Sequence, residues 1–251
     1  LKIDFHTHVK LAKRVDFDIK FFNEVILNAQ ESGLNALAMT EHFNTKNFYE
    51  IYEQLDQHYP YVDDYYNVNG FKVFTGMEID VKEVGHILCI GHKTKLLTIR
   101  RLLDGHTDKD NFVLFDELLQ LGELHNLLLI GGHPLRPSTP LHHHDPSLLR
   151  RLDAFDLNGK DMHEHGIDRM RKDVKAFAEI IGLPVVYGSD SHHPIHIGAV
   201  QNTFEGEFNT VAELKKAIAQ RNYTSYISPV LHTKINAAKI VKKKMKEALM
   251  I

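Results

Sequence analysis

The sequence has little of several things. It holds a single cysteine, Cys89, inside the apolar run HILCI at 86–90. One thiol closes no internal bridge, so a disulfide framework is excluded and a reducing compartment suits the chain. No apolar run approaches the roughly 18 residues of a membrane span. Positive charge is not in excess: 30 Lys and Arg face 33 Asp and Glu, for a net charge of −3. The broad basic field that draws in nucleic acid is therefore lacking, which argues against nucleic acid as a partner and leaves only a local basic patch open. There is no internal repeat, no linker and no low-complexity stretch beyond the short LHHHDP patch at 141–146. No charged-then-apolar leader opens the chain. It starts at Leu1 rather than Met, so a short leading piece is expected to precede it. The plain expectation is a cytoplasmic protein with no membrane partner; the oligomeric state is not legible.

What is present is a core-forming chain rich in histidine. Its 251 residues are 43% hydrophobic, enough for one α/β domain spanning 1–251. Short apolar runs alternate with amphipathic stretches. Strands are expected at 3–6, 34–40, 71–77, 86–90, 127–130, 154–157 and 184–187, with a last one at 224–227. Helices are expected at 17–32, 48–57, 112–125, 168–181, 211–220 and 234–250. About seven strand–helix units imply a parallel sheet covered on both faces, closed into a distorted barrel.

The 18 histidines are not scattered. The first strand ends in His6 and His8, the second in Glu41–His42 and the third in Glu78. The 127–130 strand ends in His133, the next in Asn158, and the last of the set in Asp190 and His192. In a barrel of parallel strands the C-terminal strand ends share one face, so these side chains are expected to converge there. His86 is off pattern because it opens its strand, and needs an antiparallel strand or a turn to join them. Alternation puts His6 and His8 on one face. Imidazoles and carboxylates in this number suit two or three divalent ions, with Zn, Mn and Fe equally served. Any one of these histidines alone is more simply a core or surface residue; the joint pattern is not.

The ordered set His-x-His, Glu-His, Glu, His, His-Pro, Asp-x-His resembles that of the PHP (polymerase and histidinol phosphatase) phosphoesterases, from His6 to His192. The resemblance implies a distorted seven-stranded β/α barrel with a metal centre at the C-terminal strand ends. It implies that His6, His8, Glu78 and Asp190 hold one metal, that Glu78 bridges to a second held by His86 and His133, and that His42 and His192 hold a third. The family usually places an Asp or His about six residues after the first His-x-His. Arg14 stands there in this chain; either Asp16 or Asp18, just beyond, substitutes, or that third site is expected to be weak, water-completed or empty, with Arg14 binding phosphate instead or marking a two-metal variant. Asp156, where a glutamate is usual, is expected to play a supporting part.

The implied reaction is hydrolysis of a small-molecule phosphomonoester, histidinol phosphate or a similar metabolite, by a metal-activated hydroxide. Asp190 and His192 are candidates for proton handling, and Arg14 and Arg136 for seating the phosphate. Lys13 joins them as a candidate, whereas Lys10 reads as a solvated charge. His142, His143 and His144 read as a polar loop near the site mouth, and His163 and His165 as a loop after the Asn158 strand. The tyrosine-rich 59–70 stretch reads as a lid, a substrate wall or an interface. The basic C-terminal segment reads as an amphipathic helix docked on the barrel. The alternatives are a nucleic-acid or nucleotide phosphoesterase and, third, an amidohydrolase-type metallohydrolase.

Overall fold

The computed structural model describes residues 1–249. Its strands are β1 (Lys2–Thr7), β2 (Ala36–Met39), β3 (Tyr61–Val62), β4 (Tyr65–Val68), β5 (Phe71–Asp80), β6 (His86–Ile90), β7 (Leu128–Gly132), β8 (Ala154–Asn158), β9 (Val185–Gly188), β10 (Val200–Phe204) and β11 (Tyr223–Ile227). Its helices are α1 (Ile19–Glu31), α2 (Phe48–His58), α3 (Lys93–Leu102), α4 (Phe115–Leu124), α5 (Pro146–Leu149), α6 (Gly159–His165), α7 (Ile167–Ile181), α8 (Val211–Ala219) and α9 (Leu231–Leu249). Met250, the expected end of the last helix, lies outside the described residues. Among the described residues no helix is long and apolar enough to cross a membrane.

The strands form one sheet in the order β11-β10-β1-β2-β5-β6-β7-β8-β9, with the β3–β4 hairpin attached to β5. The β1–β2–β5 and β7–β8–β9 runs are parallel, but β6 is antiparallel to both β5 and β7. That reversal is what brings His86, at the start of β6, to the end of the sheet where the other strands finish. It also corrects the expectation of an all-parallel sheet. The strand count needs correcting as well: among the described residues the sheet has 11 strands, not seven. β3, β4 and β10 escape a reading by apolar runs because β3 and β4 are short and β10 (VQNTF) alternates buried with half-buried residues. They add on antiparallel, where a tight connection suffices.

The sheet nearly closes on itself. The end of β9 returns to β1, where Asp190 N donates to His6 O (2.7 Å) and His8 N to Ser191 O (2.9 Å). Asp4 ties the same seam: its Oδ1 accepts from His6 N at 3.1 Å and Ser189 N at 2.9 Å. Gly188 permits the approach, since a Cβ there would sit 2.3 Å from His6 Cβ and 2.7 Å from Asp156 Oδ1.

Two apolar clusters follow from strand alternation. Ile3, Phe5, Phe74, Leu88, Ile130 and Val186 pack with Leu214 and Ile218 of α8. Leu37, Val73, Ile87 and Leu129 pack with α1 to α4 through Phe22, Ile51, Leu96 and Leu118. A third cluster seats Leu231 and Ile235 of α9 against Met162 of α6 and Leu157 of β8. Helix α3 was not legible as a helix because charge surrounds its buried Leu96, Ile99 and Arg100. His163 and His165 lie on α6 rather than in a loop; the Asn158 side chain caps that helix by accepting from Lys160 N at 2.9 Å. The tyrosine-rich stretch is the β3–β4 hairpin, with Tyr66 fully buried and its hydroxyl donating to Asp56 Oδ1 at 2.7 Å.

Candidate metal centre

The strand-end residues do converge. Three groups of ligand atoms each lie within 4.8 Å of one another: His6, His8 and Asp190; Glu78, His86 and His133; and His8, His42 and His192. Glu78 links them. Its Oε1 is 2.6 Å from His86 Nδ1, 3.3 Å from His133 Nε2 and 3.4 Å from His6 Nε2. Its Oε2 is 2.7 Å from His42 Nδ1 and 3.6 Å from His8 Nε2. The His8 ring lies 3.9 Å from that of His192 and 4.4 Å from that of His42, centroid to centroid. The third group therefore gathers three imidazoles without any side chain from position 14.

Fit to metal can be judged from the buried polar atoms. Nε2 of His6, both ring nitrogens of His8, Nδ1 of His42 and Oε2 of Glu78 are buried with no hydrogen-bond partner. The His42–Glu78 approach is close but lacks hydrogen-bond geometry. Unsatisfied buried nitrogens and oxygens are costly, and their clustering around shared points is the arrangement a cation resolves. The donor set is nitrogen and oxygen, with no thiolate, so the residues fit divalent ions such as Zn, Mn or Fe.

Supporting contacts orient the ligands. Asp156 Oδ2 lies 2.9 Å from His6 Nδ1, Asp80 Oδ1 2.9 Å from His86 Nε2, and Thr139 Oγ1 3.2 Å from His133 Nδ1. Such partners fix ring tautomer and direction. Glu41 is not aimed at the shared points. It accepts from the backbone N–H groups of Val9, Lys10 and His42 and stands 3.5 Å from His8 Nδ1. Burial works to raise its pKa, but His8, His42 and these donors pull it down to about 2. Burial likewise opposes charge on His6, yet Asp190 and Glu78 outweigh it and raise the ring to about 10. His86 is raised to about 9 by Glu78 and Asp80 against the same burial. His192 is pushed well below its ordinary value by burial, with the charges of His8, Lys160 and Lys242 adding to it.

Two of the candidate ligand positions carry backbone strain. His133 (φ 31°) and Asp190 (φ 57°) occupy the left-handed region, which non-glycine residues rarely enter. Both sit just past a strand end, where the sharp turn aims the side chain back at the cluster.

The cations divide. Arg136 turns inward: Nε donates to Asp161 Oδ1 at 2.7 Å, and Nη2 to Asn158 Oδ1 and Asp190 Oδ2, each at 3.0 Å. Arg14 is exposed and lines a cavity beside His192 together with Lys13. Lys10 is not a solvated charge; it is buried, its Nζ donating to Thr45 Oγ1 at 2.9 Å and to Lys46 O at 2.5 Å, which pins the loop after β2. Asp16 pairs with Lys46 and Asp18 caps α1, so both are engaged away from the cluster. His143 and His144 bond the carbonyls of Glu83 and Val84 and so brace a loop. Lys160 was missed: its Nζ lies 2.7 Å from Asp190 Oδ1 and 3.2 Å from His192 Nδ1. Its signal was its place two residues after the strand-end Asn158.

Comparison with known proteins bears on the fold. The PHP-associated family model matches residues 171–223, from α7 to the start of β11. PsfC from Pseudomonas syringae PB-5123 superposes with a TM-score of 0.80 over 97% of this chain and 98% of its own, at 20% identity. The chain has a PHP-associated segment within a PHP-type fold. The lesion-specific endonuclease PfuEndoQ from Pyrococcus furiosus shares the fold over 88% of this chain (TM-score 0.63, 21% identity), and this chain spans 56% of its length. A two-domain protein from Bacteroides vulgatus containing a predicted PHP-like metal-dependent phosphoesterase matches 90% of this chain and 64% of its own (TM-score 0.55, 16% identity). No curated protein sequence matches.

Proposed function

We propose that this PHP-type chain is a metal-dependent hydrolase acting on the phosphomonoester of a small molecule. The observation that carries the reading is the convergence of three ligand groups on one buried point of the fold, with Glu78 common to all of them by distance. In this reading His6, His8, Glu78 and Asp190 would hold one ion, Glu78, His86 and His133 a second, and His42 and His192, beside His8, a third. Divalent ions in such a site supply Lewis acidity, which makes water a stronger nucleophile and offsets the negative charge of the phosphoryl group.

The chain's own groups do the rest. Arg136 and Lys160 hold Asp190 in place from two sides, so its ligand oxygen cannot swing away. Lys160 brings N–H donors to the edge where the leaving oxygen must be stabilised. His192, kept neutral by burial and neighbouring cations, serves as a ligand rather than as an acid. Arg14 and Lys13 stand at the opening and draw an anionic substrate toward it.

A second reading is cleavage of a nucleic-acid phosphodiester. The fold likeness to an endonuclease favours it, and it removes the support for excluding nucleic acid on net charge alone. Favouring the small molecule is the cavity beside His192, ≈ 420 Å³, which is the size of a small-ligand site. The test is the metal-loaded protein on phenyl phosphate and histidinol phosphate, beside a phosphodiester, an oligonucleotide and a lactone. Phosphate release from the monoesters supports the first reading. Cleavage of the oligonucleotide alone supports the second, and turnover of the lactone alone points to an amidohydrolase instead.

A further inference from the structure

The cavity beside His192 has a composition that the metal centre does not account for. Its walls are Ala12, Lys13 and Arg14 from the loop after β1, His192 from the loop after β9, and Lys242 and Lys246 from α9. Among the described residues four cations and no carboxylate line it. Helix α9 reaches this place because Leu231 and Ile235 anchor its first turns beside α6 and the Pro194–His196 turn.

The pairing along α9 is selective. Lys239 pairs with Glu164 (2.9 Å), Lys243 and Lys244 with Glu247 (4.0 and 3.3 Å), and Lys234 donates to Ile197 O (2.8 Å). Lys242 and Lys246, one turn apart on the face toward the cavity, have no ion-pair or hydrogen-bond partner among the described residues, and neither has Arg14. Lys13 has only a 3.5 Å approach to Asp80. Like charges so placed repel one another, and an anion between them relieves that repulsion. Burial above all, then Lys160 and Lys246, bring the pKa of Lys242 down to about 7.

We propose that Lys13, Arg14, Lys242 and Lys246 form a subsite for a second anionic group of the substrate, a phosphate or a carboxylate, next to the reacting phosphate. This rests on the phosphomonoesterase reading for the reacting group but not for the anion site itself. The ligand centre takes one phosphate; the cavity opens directly from His192 and takes the other charge. A preferred substrate is then a small bisphosphate or a phosphorylated carboxylic acid.

The test uses the full chain in two arms. In the first, the metal-loaded wild type and a Lys242→Met, Lys246→Met double variant are compared on phenyl phosphate, 4-carboxyphenyl phosphate and 1,4-phenylene bisphosphate. The variant's kcat/KM should fall at least tenfold more on a doubly anionic ester than on phenyl phosphate, and whichever of the two falls further identifies the second group. An equal fall on all three places the reacting phosphate in the cavity and overturns the proposal, as does no change at all. Lys246→Met alone, on a partly exposed side chain, should give at least a threefold change in the same ratio. In the second arm, inorganic phosphate is titrated by calorimetry into chelator-treated protein. Wild type should bind it and the double variant at least tenfold more weakly; equal binding, or none by wild type, overturns the proposal. Binding that is lost in the variant, with none of the esters hydrolysed, retains the anion site and rejects the hydrolase reading.

Discussion

Asp156 Oδ2 lies 2.9 Å from Nδ1 of His6, deep in the seam where β9 returns to β1. The contact assigns the proton to Nδ1 and leaves Nε2 facing Glu78 and Asp190. Asp156→Asn removes the charge that orients this ring. Metal affinity or activity should fall by roughly 10–100-fold, measured by competition with a chromophoric chelator and by kcat/KM. Unaltered affinity in this variant means that His6 is not a ligand.

Glu78 spans more of the cluster than any single imidazole. Glu78→Gln keeps the shape but removes the charge common to the three groups. The expected outcome is loss of bound metal in elemental analysis, together with loss of turnover, while the fold survives by circular dichroism. A full metal complement with full activity would reject the bridging role.

The ring pKa values fix the sign of proton linkage. In the metal-free protein burial opposes charge on both rings, yet Asp190 and Glu78 raise His6 to about 10, and Glu78 and Asp80 raise His86 to about 9, from an ordinary 6.5. A ligand nitrogen must be free of its proton, so metal uptake at pH 7.5 releases protons and affinity rises with pH toward those values. For the metal-free fold, raised values mean stability that is present below 6.5 and lost as pH rises through 9 to 10. Calorimetric metal titrations in two buffers of different ionisation enthalpy should therefore give different heats. Identical heats contradict the assignment.

Arg136 distinguishes a positioning role from a substrate clamp. Its guanidinium joins Asp161, buried at 2% side-chain exposure, to Asp190. Arg136→Met leaves both carboxylates without it and should cost about 3 kcal/mol, a fall in Tm of roughly 6–12 °C. A clamp on substrate alone would raise KM and leave Tm unchanged.

The convergence of the candidate ligands was legible because strand ends are where a short apolar run meets a polar residue, and six junctions, five strand ends and the start of β6, carried ligand types in a fixed order. His86 was flagged as off pattern for the right geometric reason: its strand runs the other way. What was not legible depended on tertiary contact. Lys160 and Lys242 are ordinary lysines in sequence, and only the approach of α6 and α9 to His192 gives them a place at the site. Lys10 read as solvated because nothing local reveals the loop that covers it. Strand β10 was missed because its half-buried alternation is weaker than the apolar runs of β6 and β7.

The most direct test of the account is phosphate release from phenyl phosphate by chelator-treated protein before and after addition of Mn or Zn, in wild type and in His6→Ala. The account predicts release that depends on added metal and is lost in His6→Ala along with part of the metal content. Release that is indifferent to metal, or fully retained in His6→Ala, would contradict it.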